Sequence, residues 1–552
     1  MPYRSPAARR IFAPLIIALA VLVAAFAAVT WLPLRFARDA WRAERTADAI
    51  DMAKRWSTLR VWPGQYHQVL AAAHLSQGQR ADAAPHLESL RKGNLWISIL
   101  STAEVGERLL KRGAYADFLA YDDALQESET TPDTVLYRAA AQLATKRIEA
   151  AQRTFASVNR AQLDGGRWTA LSNALEQRRA GRYPFAVDRN GKTIAECDLA
   201  SDDIVAVDEN FEAFVEEGAG TFTLEAAAKK FGKSETVVMT LDADVQRAAI
   251  DALKGFRGSL VAIDPRTNEV LAIASTAGTG KLANLALEKQ YEPGSVMKVV
   301  TALDALVTGV AIDPLFPYDC KGVLEIDGRH FRDWMEDGHG KMETLDVAMA
   351  RSCNIVFADI GLRTGLSRLR YFNDRTGLGS HANLGMFSVP LGRATRPVRN
   401  NFETALFSIG LEHETVTTLH LAMISTMLAN RGVMTTPRIY RARRSVLGDA
   451  IDRPRRLQGT RLAQPQHVER ILQSMRAVVA DANGTGRRAQ VEGVTLAMKT
   501  GTAGKEPYDA VAIGLAPVEA PTIAFALVAE GAGPAEFAAA KIAHDFIAAL
   551  RK

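Results

Sequence analysis

From Ile11 to Leu34 the chain runs for 24 residues without a charged side chain. A helix rises about 1.5 Å per residue, so this run covers the ~30 Å hydrocarbon core of a bilayer, and a membrane anchor is predicted over residues 11–34. Arg4, Arg9 and Arg10 precede the run, and Trp31 stands near its far end, where amphipathic rings collect at the membrane interface. The alternative is a cleaved export signal ending at Ala25-Phe26-Ala27, but the apolar run continues past that site. Both readings export the remainder. Arg35, Arg38, Arg42 and Arg45 on the far flank outnumber the three preceding arginines, so charge asymmetry does not set the orientation.

The rest is globular in balance. Over 552 residues the chain is 48% hydrophobic and 23% charged, which excludes a disordered or multi-spanning protein and leaves room for several domains. A net charge of +5 is too mild for a nucleic-acid binder. Cys197, Cys320 and Cys353 cannot build a disulfide framework and lack Cys-x-x-Cys spacing, so zinc and redox-motif readings fall away and the sequence assigns no metal and no cofactor.

Residues 40–180 carry alanine, leucine and arginine at helical spacing and few strand-like alternations, which predicts an all-helical region. The stretches GQRADAAPHLESL, GAYADFLAYDDAL and KRIEAAQRTFASV align with Ala84, Phe118 and Ala151 at equivalent places, at intervals of 34 and 33 residues. This resembles tetratricopeptide repeats, whose helix pairs recur at ~34 residues and share a core. An unrelated helical bundle is the rival. A stacked helical surface holds a partner or spaces a domain more often than it carries out chemistry.

After Gly181 the texture changes. YPFAVDRNGKTIAE reads as a hairpin around Asn190-Gly191, both tolerant of positive φ. TLDADVQRAAIDALKGF is an amphipathic helix, SLVAIDPRTNEVLAIAST is two strands around Asp264-Pro265, and TLAMKTGTA, AVAIGLAP and TIAFALVAE are three more strands before a C-terminal helix. Five strands split by a long, mostly helical insertion predict an α+β domain. The expected organisation is a cytoplasmic tail and anchor at 1–34, a helical region at 35–180, a β-containing linker at 181–235 and the α+β domain at 236–552.

The strongest local signal is Tyr291-Glu292-Pro293-Gly294-Ser295-Val296-Met297-Lys298, followed by an apolar helix. Pro and Gly place a turn just before that helix, so Ser295 stands at its start and Lys298 lies one turn on along the same face. A buried lysine has its pKa lowered and can take a proton from a serine hydroxyl, while the helix N-terminus favours a developing oxyanion. Alone the pattern is worthless, since Ser89-Leu90-Arg91-Lys92 repeats it inside the helical region. Company separates them: Ser352-Cys353-Asn354 comes 57 residues after Ser295, and Lys499-Thr500-Gly501-Thr502 comes 147 after that, at the expected end of a strand.

With these three motifs the chain resembles the penicillin-binding proteins, specifically the monofunctional D,D-transpeptidases of the serine acyltransferase and β-lactamase superfamily. AIDPRTNEVLAIAS, His339-Gly340, AMARSCN, MLANRGVMTTP and the GTG at 484–486 also resemble family segments in family order, over about residues 236–548. The resemblance implies that Ser295 attacks the carbonyl between the terminal D-alanines of a peptidoglycan stem peptide, with Lys298 as general base, Ser352 relaying a proton and Asn354 orienting Lys298. Lys499, Thr500 and Thr502 would hold the substrate carboxylate, with Gly501 between them, and the amides of Ser295 and Thr502 would form the oxyanion hole. β-Lactams would trap the same serine. The implied location is the bacterial cytoplasmic membrane with the catalytic domain outside, the helical array offering a surface to a cell-wall synthesis protein.

Departures and rivals remain. Gly410-Leu411-Glu412 replaces Gly-Gln-Gly, Met297 stands where Phe is common, and Val511-Ala512 replaces an aromatic stretch. The rivals are a D,D-carboxypeptidase or β-lactamase-type hydrolase and a non-catalytic penicillin-binding sensor or scaffold. No Leu-Asn dipeptide occurs, so one β-lactamase deacylation motif is absent. Cys353 reads as a small core residue, and His413-Glu414 with His420 lacks zincin spacing. Nine arginines between 431 and 461 against Asp449 and Asp452 give a local +7, read as a solvated basic surface, with a site for anionic wall polymer or lipid phosphates as its rival.

Overall fold

The computed structural model describes residues 6–58, 61–93, 95, 97–125, 130–158, 164–215, 224–277, 285–454 and 458–551. The chain divides into two compact units: residues up to Tyr183 with Ser234–Thr236 and Arg443–Asp452, and Pro184–Lys233, Val237–Ala442 and Arg453–Lys552.

The first unit begins with one helix, Pro6–Arg42, that does not stop where the apolar run ends. Its Ile16–Arg42 portion contains an 18-residue window of mean hydropathy 2.4 and is long and apolar enough to cross a membrane. Ile16, Leu19 and Leu22 are exposed, whereas Leu34, Ala37, Ala40 and Trp41 are buried among the helices that follow. One helix therefore changes its apolar face from outward to inward along its length.

Those helices recur as pairs closed by the same turn. Glu44, Gly78, Gly113 and Lys146 each take a left-handed backbone, and the next residue donates its amide five residues back, Arg45 to Ala40, Gln79 to His74, Ala114 to Leu109 and Arg147 to Gln142. This is a Schellman-type stop that satisfies the last carbonyls of one helix as the next begins. Ala49, Ala83, Phe118 and Ala151 follow at equal distance from these turns and are buried. The structural register thus runs through Ala83, correcting Ala84, which is exposed.

Arg182–Val187 and Thr193–Asp198 flank the Asn190-Gly191 turn of the second unit, with Gly191 at φ +92°. The main sheet comprises β1 (Arg257–Asp264), β2 (Glu269–Ala277), β3 (Ala497–Ala503), β4 (Asp509–Ala516) and β5 (Ile523–Ala529). They run antiparallel in the order β3-β4-β5-β1-β2. Two helices, α1 (Ala243–Ala252) and α5 (Ala538–Leu550), pack on each other and on the sheet. Between them in sequence come α2 (Met297–Thr308), α3 (Asn354–Thr364) and α4 (Thr418–Ala429). α4 is predominantly apolar, is buried along its whole length, and packs on β1, β4 and β5, with its polar His420, Ser425 and Thr426 hydrogen-bonded.

The arginine-rich segment is not a free basic surface. Glu269, almost wholly buried, accepts from Arg438 Nη2 at 2.7 Å and from Arg441 Nε and Nη2 at 2.9 and 2.6 Å, with Arg189 Nη2 at 3.3 Å. Arg443 bonds Glu235 at 2.7 Å and Arg431 pairs with Glu469. Arg455 and Arg456 lie outside the described residues. Burial opposes the Glu269 carboxylate, but its arginine bonds hold its pKa below the usual range. Glu269→Ala is expected to cost about 3–5 kcal/mol in denaturant unfolding at neutral pH, because it strands buried charge. A depressed carboxylate stabilises above its unfolded pKa and loses that contribution on acidification, so the deficit should shrink below about pH 4.

Candidate functional site

Ser295 sits in a single 3₁₀ turn, Gly294–Val296, and α2 proper starts at Met297. Glycines let three backbones converge there. Gly294 takes φ +57° and donates to Gly410 O at 2.9 Å. A Cβ on Gly410 would lie 2.3 Å from Gly294 O, and one on Gly501 would lie 3.0 Å from Pro293 O and 3.2 Å from Ser295 N. The serine turn is held between β3 and the segment after residue 408 at a separation that larger residues do not permit.

Lys298 is fully buried on α2. Its Nζ donates to Ser352 O at 2.6 Å and Asn354 Oδ1 at 2.7 Å, with Ser352 Oγ at 3.3 Å. Burial lowers its pKa to about 8 against the opposing pull of Asp333. Ser352 has φ +55°, a left-handed conformation uncommon outside glycine and frequent at functional sites. Lys499, also fully buried, donates from Nζ to Ser352 Oγ at 2.8 Å and to Thr500 O at 2.7 Å. Burial, then the nearby Lys298, pushes its pKa well down. Ser352 Oγ thus joins the two amines.

Lys499, Thr500, Gly501 and Thr502 lie inside β3 rather than at its end, and the turn begins at Gly504, φ +81°. Thr500 Oγ1 donates to Thr485 Oγ1 at 2.6 Å, and exposed Thr502 accepts from Ala535 N at 3.1 Å. A cleft of about 580 Å³ is lined by Ser295, Ser352, Asn354, Thr500, Gly501 and Thr502 together with Trp334, Leu411, Thr485 and Tyr508. The last four were not assigned roles from sequence; Thr485, within the GTG, and Leu411, within the Gly410-Leu411-Glu412 departure, carried the visible signals.

Cys353 is more than core filling. Its Sγ is 3.0 Å from Asp333 Oδ2 and 3.5 Å from Cys320 Sγ, and Cys320 Sγ is 3.4 Å from the same carboxylate oxygen. His339 Nε2 lies 3.5 Å from Asp333 Oδ1. Ligand atoms of Cys320, Asp333 and Cys353 fall within 4.8 Å of one another, a buried donor set of the kind that holds zinc when an imidazole completes it. The donors converge from positions 320, 333 and 353, which no Cys-x-x-Cys spacing records. Burial works against the Asp333 carboxylate, yet His339, Cys353 and the charge of Lys298 hold its pKa well below the usual range. Asp333 Oδ1 also accepts from Trp334 N at 2.8 Å and Asn354 N at 3.4 Å, tying this cluster to the cleft. His413, Glu414 and His420 are buried; Glu414 bonds Asn373 and His420 bonds Thr376, and burial raises the Glu414 pKa to about 8.

Comparison with known proteins bears on the domain that carries these residues. The family model for the penicillin binding protein transpeptidase domain matches residues 258–550. The chain is 27% identical over 392 residues to peptidoglycan D,D-transpeptidase MrdA of Acinetobacter baumannii, covering 59% of this chain and 57% of that protein. It is 28% identical to peptidoglycan D,D-transpeptidase PbpA of Mycolicibacterium smegmatis, covering 53% and 67%. Pseudomonas aeruginosa PBP2 in complex with WCK 5153 aligns with a TM-score of 0.57 at 25% identity, over 66% of this chain and 94% of that one. The penicillin G acyl-enzyme complex of penicillin-binding protein A from M. tuberculosis has the same fold, at a TM-score of 0.59 and 23% identity, over 67% and 100%. Gly501→Ala is expected to slow labelling of Ser295 by a fluorescent penicillin about tenfold or more, since small displacements of a reacting group are costly. Stopped-flow labelling checks it; an unchanged rate would show that β3 and the serine turn separate freely.

Proposed function

We propose, because this chain belongs to the penicillin-binding protein transpeptidase family, that it is a peptidoglycan D,D-transpeptidase working through a Ser295 acyl-enzyme. The observation that carries the reading is the bonding of Lys298 to Ser352 and Asn354, with Lys499 on the same Ser352 hydroxyl. An amine with its pKa lowered to about 8 is partly unprotonated near neutrality and can accept the Ser295 proton. Ser295 attacks the D-alanyl-D-alanine carbonyl, and the amides of Ser295 and Thr502 stabilise the tetrahedral oxyanion. Ser352, between the two lysines, carries a proton to the departing D-alanine. The amine of a second stem peptide then takes the acyl group.

Lys499, Thr500 and Thr502 bind the terminal carboxylate, and Gly501 keeps their strand close to the serine. A β-lactam acylates Ser295 in the same way. Cys320, Asp333, His339 and Cys353 would hold zinc as a structural ion behind the Ser352-to-Asn354 segment, where a closed site stiffens the fold.

The Pro6–Arg42 helix anchors the chain in the cytoplasmic membrane, leaving the catalytic unit on the outer side with its substrate. The helical unit reads as tetratricopeptide-like on the strength of its recurring turn and buried Ala83, Phe118 and Ala151, and it offers a surface to another wall-synthesis protein. The four-part division at 34, 180 and 235 belongs to the same proposal.

Purified protein is expected to take a stable fluorescent penicillin label that Ser295→Ala abolishes; no label in either would sink the reading, and rapid turnover would favour a β-lactamase. Stem-pentapeptide products separate cross-linking from trimming. The acylation rate should climb with pH up to about 8 and then level, because the base must be unprotonated. A flat profile from pH 6 to 9 would remove Lys298 from that role.

A further inference from the structure

We propose that Cys320 and Cys353 form a redox-responsive pair that closes to a disulfide and thereby switches off the Ser352-to-Asn354 segment. The effect on acylation rests on the reading of Ser295 above; the bond itself does not.

The two sulfurs are 3.5 Å apart, and both side chains are buried. Cys197 is buried elsewhere, with its sulfur against Asp198 O and Asp202. A disulfide is about 2.05 Å long, so the sulfurs must approach by about 1.5 Å. Cys320 ends a short strand, Tyr318–Cys320, paired with Gly340–Met342, and is pinned opposite Gly340. Cys353 lies in no strand or helix. It is the single extended residue between left-handed Ser352 and the first residue of α3. The approach is therefore made mainly from the Cys353 side, and its two neighbours are the residues that hold the lysines.

Ser352 O and Asn354 Oδ1 accept from Lys298 at 2.6 and 2.7 Å, and Ser352 Oγ accepts from Lys499 at 2.8 Å. Drawing Cys353 toward Cys320 lengthens these contacts. It also takes both thiol donors from Asp333 Oδ2, the carboxylate whose other oxygen holds the Trp334 and Asn354 amides. The oxidant is a peroxide. One thiol attacks a peroxide oxygen, its proton passing to the departing hydroxide, to give a sulfenic acid and water, and the second thiol displaces the sulfenic hydroxyl, its proton leaving with it as a second water, as the sulfur–sulfur bond forms. Two electrons and two protons leave the thiols, and the peroxide is reduced to water. Beyond the cytoplasmic membrane such bonds persist. Zinc on the same sulfurs competes with the reaction and protects them.

The test treats detergent-solubilised full-length protein with hydrogen peroxide, with chelator or with added zinc, and maps cross-linked peptides by mass. The expected result is a Cys320–Cys353 linkage with chelator, suppression by zinc, and a fall in fluorescent-penicillin acylation of about tenfold or more that dithiothreitol reverses. Cys197→Ser should keep this sensitivity, and Cys320→Ser should lose it when each variant is compared with its own reduced form. Free thiols at both positions after oxidation with chelator would overturn the proposal. So would a formed bond with unchanged acylation, or full sensitivity in Cys320→Ser. If reduced wild-type protein takes no label, the transpeptidase reading fails while peptide mapping still decides the bond. Hydrogen exchange over residues 349–357 then reads the displacement, and unchanged exchange would overturn the switch.

Discussion

A lysine amine placed in the interior of a protein is the constraint around which the second unit is arranged. Burial alone would expel the charge of Lys298, and the structure answers with a backbone carbonyl and a side-chain amide oxygen at hydrogen-bond distance rather than with a full salt bridge. That compromise leaves the amine near its titration point. It also explains local features that look costly in isolation. Ser352 adopts a left-handed backbone, at about 1–2 kcal/mol for a non-glycine residue, while its carbonyl meets Nζ. α2 is buried on nearly every face, as a helix must be if it is to desolvate the residue at its second position.

The second buried amine sharpens this. Lys499 and Lys298 share the Ser352 hydroxyl, and two ammonium ions that close would repel in a medium of low dielectric. Burial and the neighbouring Lys298 push the Lys499 pKa down, and the Ser352 hydroxyl lies within hydrogen-bond reach of both amines. The approach of β3 that brings Lys499 there requires Gly501, Gly294 and Gly410 together, since a methyl group on any of them meets backbone at 3.0 Å or less. Electrostatics and close packing are thus one problem solved at one place.

This explains what the sequence disclosed. Ser295, Lys298, Ser352, Asn354 and Lys499 are carried by short local patterns, each set by the turn, helix or strand it occupies; Lys298 meets Ser352 and Asn354, Lys499 meets Ser352, and Ser295 lines the same cleft as Ser352 and Asn354. The five strands were legible for a similar reason: each is an apolar run bounded by turn residues. The cluster of Cys320, Asp333, His339 and Cys353 was not, because its members face one another through the path of the chain and no spacing rule records that path. The arginines between 431 and 461 misled for the same reason. Glu269, Glu235 and Glu469, which pair with Arg431, Arg438, Arg441 and Arg443, come from other segments, so a local count of charge could not reveal these pairs. In the helical unit the helices were legible and the burial of single alanines was not, since Ala83 and Ala84 are chemically identical and only burial tells them apart.

The departure at Gly410-Leu411-Glu412 shows how a motif can change its chemistry and keep its backbone. Glu412 takes φ +67°, a left-handed conformation that glycine would adopt freely and that costs a side chain on the order of 1 kcal/mol. The structure offsets that cost locally: Glu412 pairs with Arg396, and its carbonyl accepts from Thr395 Oγ1 at 3.0 Å. The turn is preserved, and with it the Gly410 carbonyl that receives the Gly294 amide beside Ser295. What differs is the wall of the cleft, where Leu411 presents an apolar side chain in place of an amide. The turn rests on Gly410 and Glu412, both left-handed, whereas Leu411 between them lines the cleft. The backbone beside Ser295 and the side-chain lining of the cleft are therefore set by different residues of one short turn.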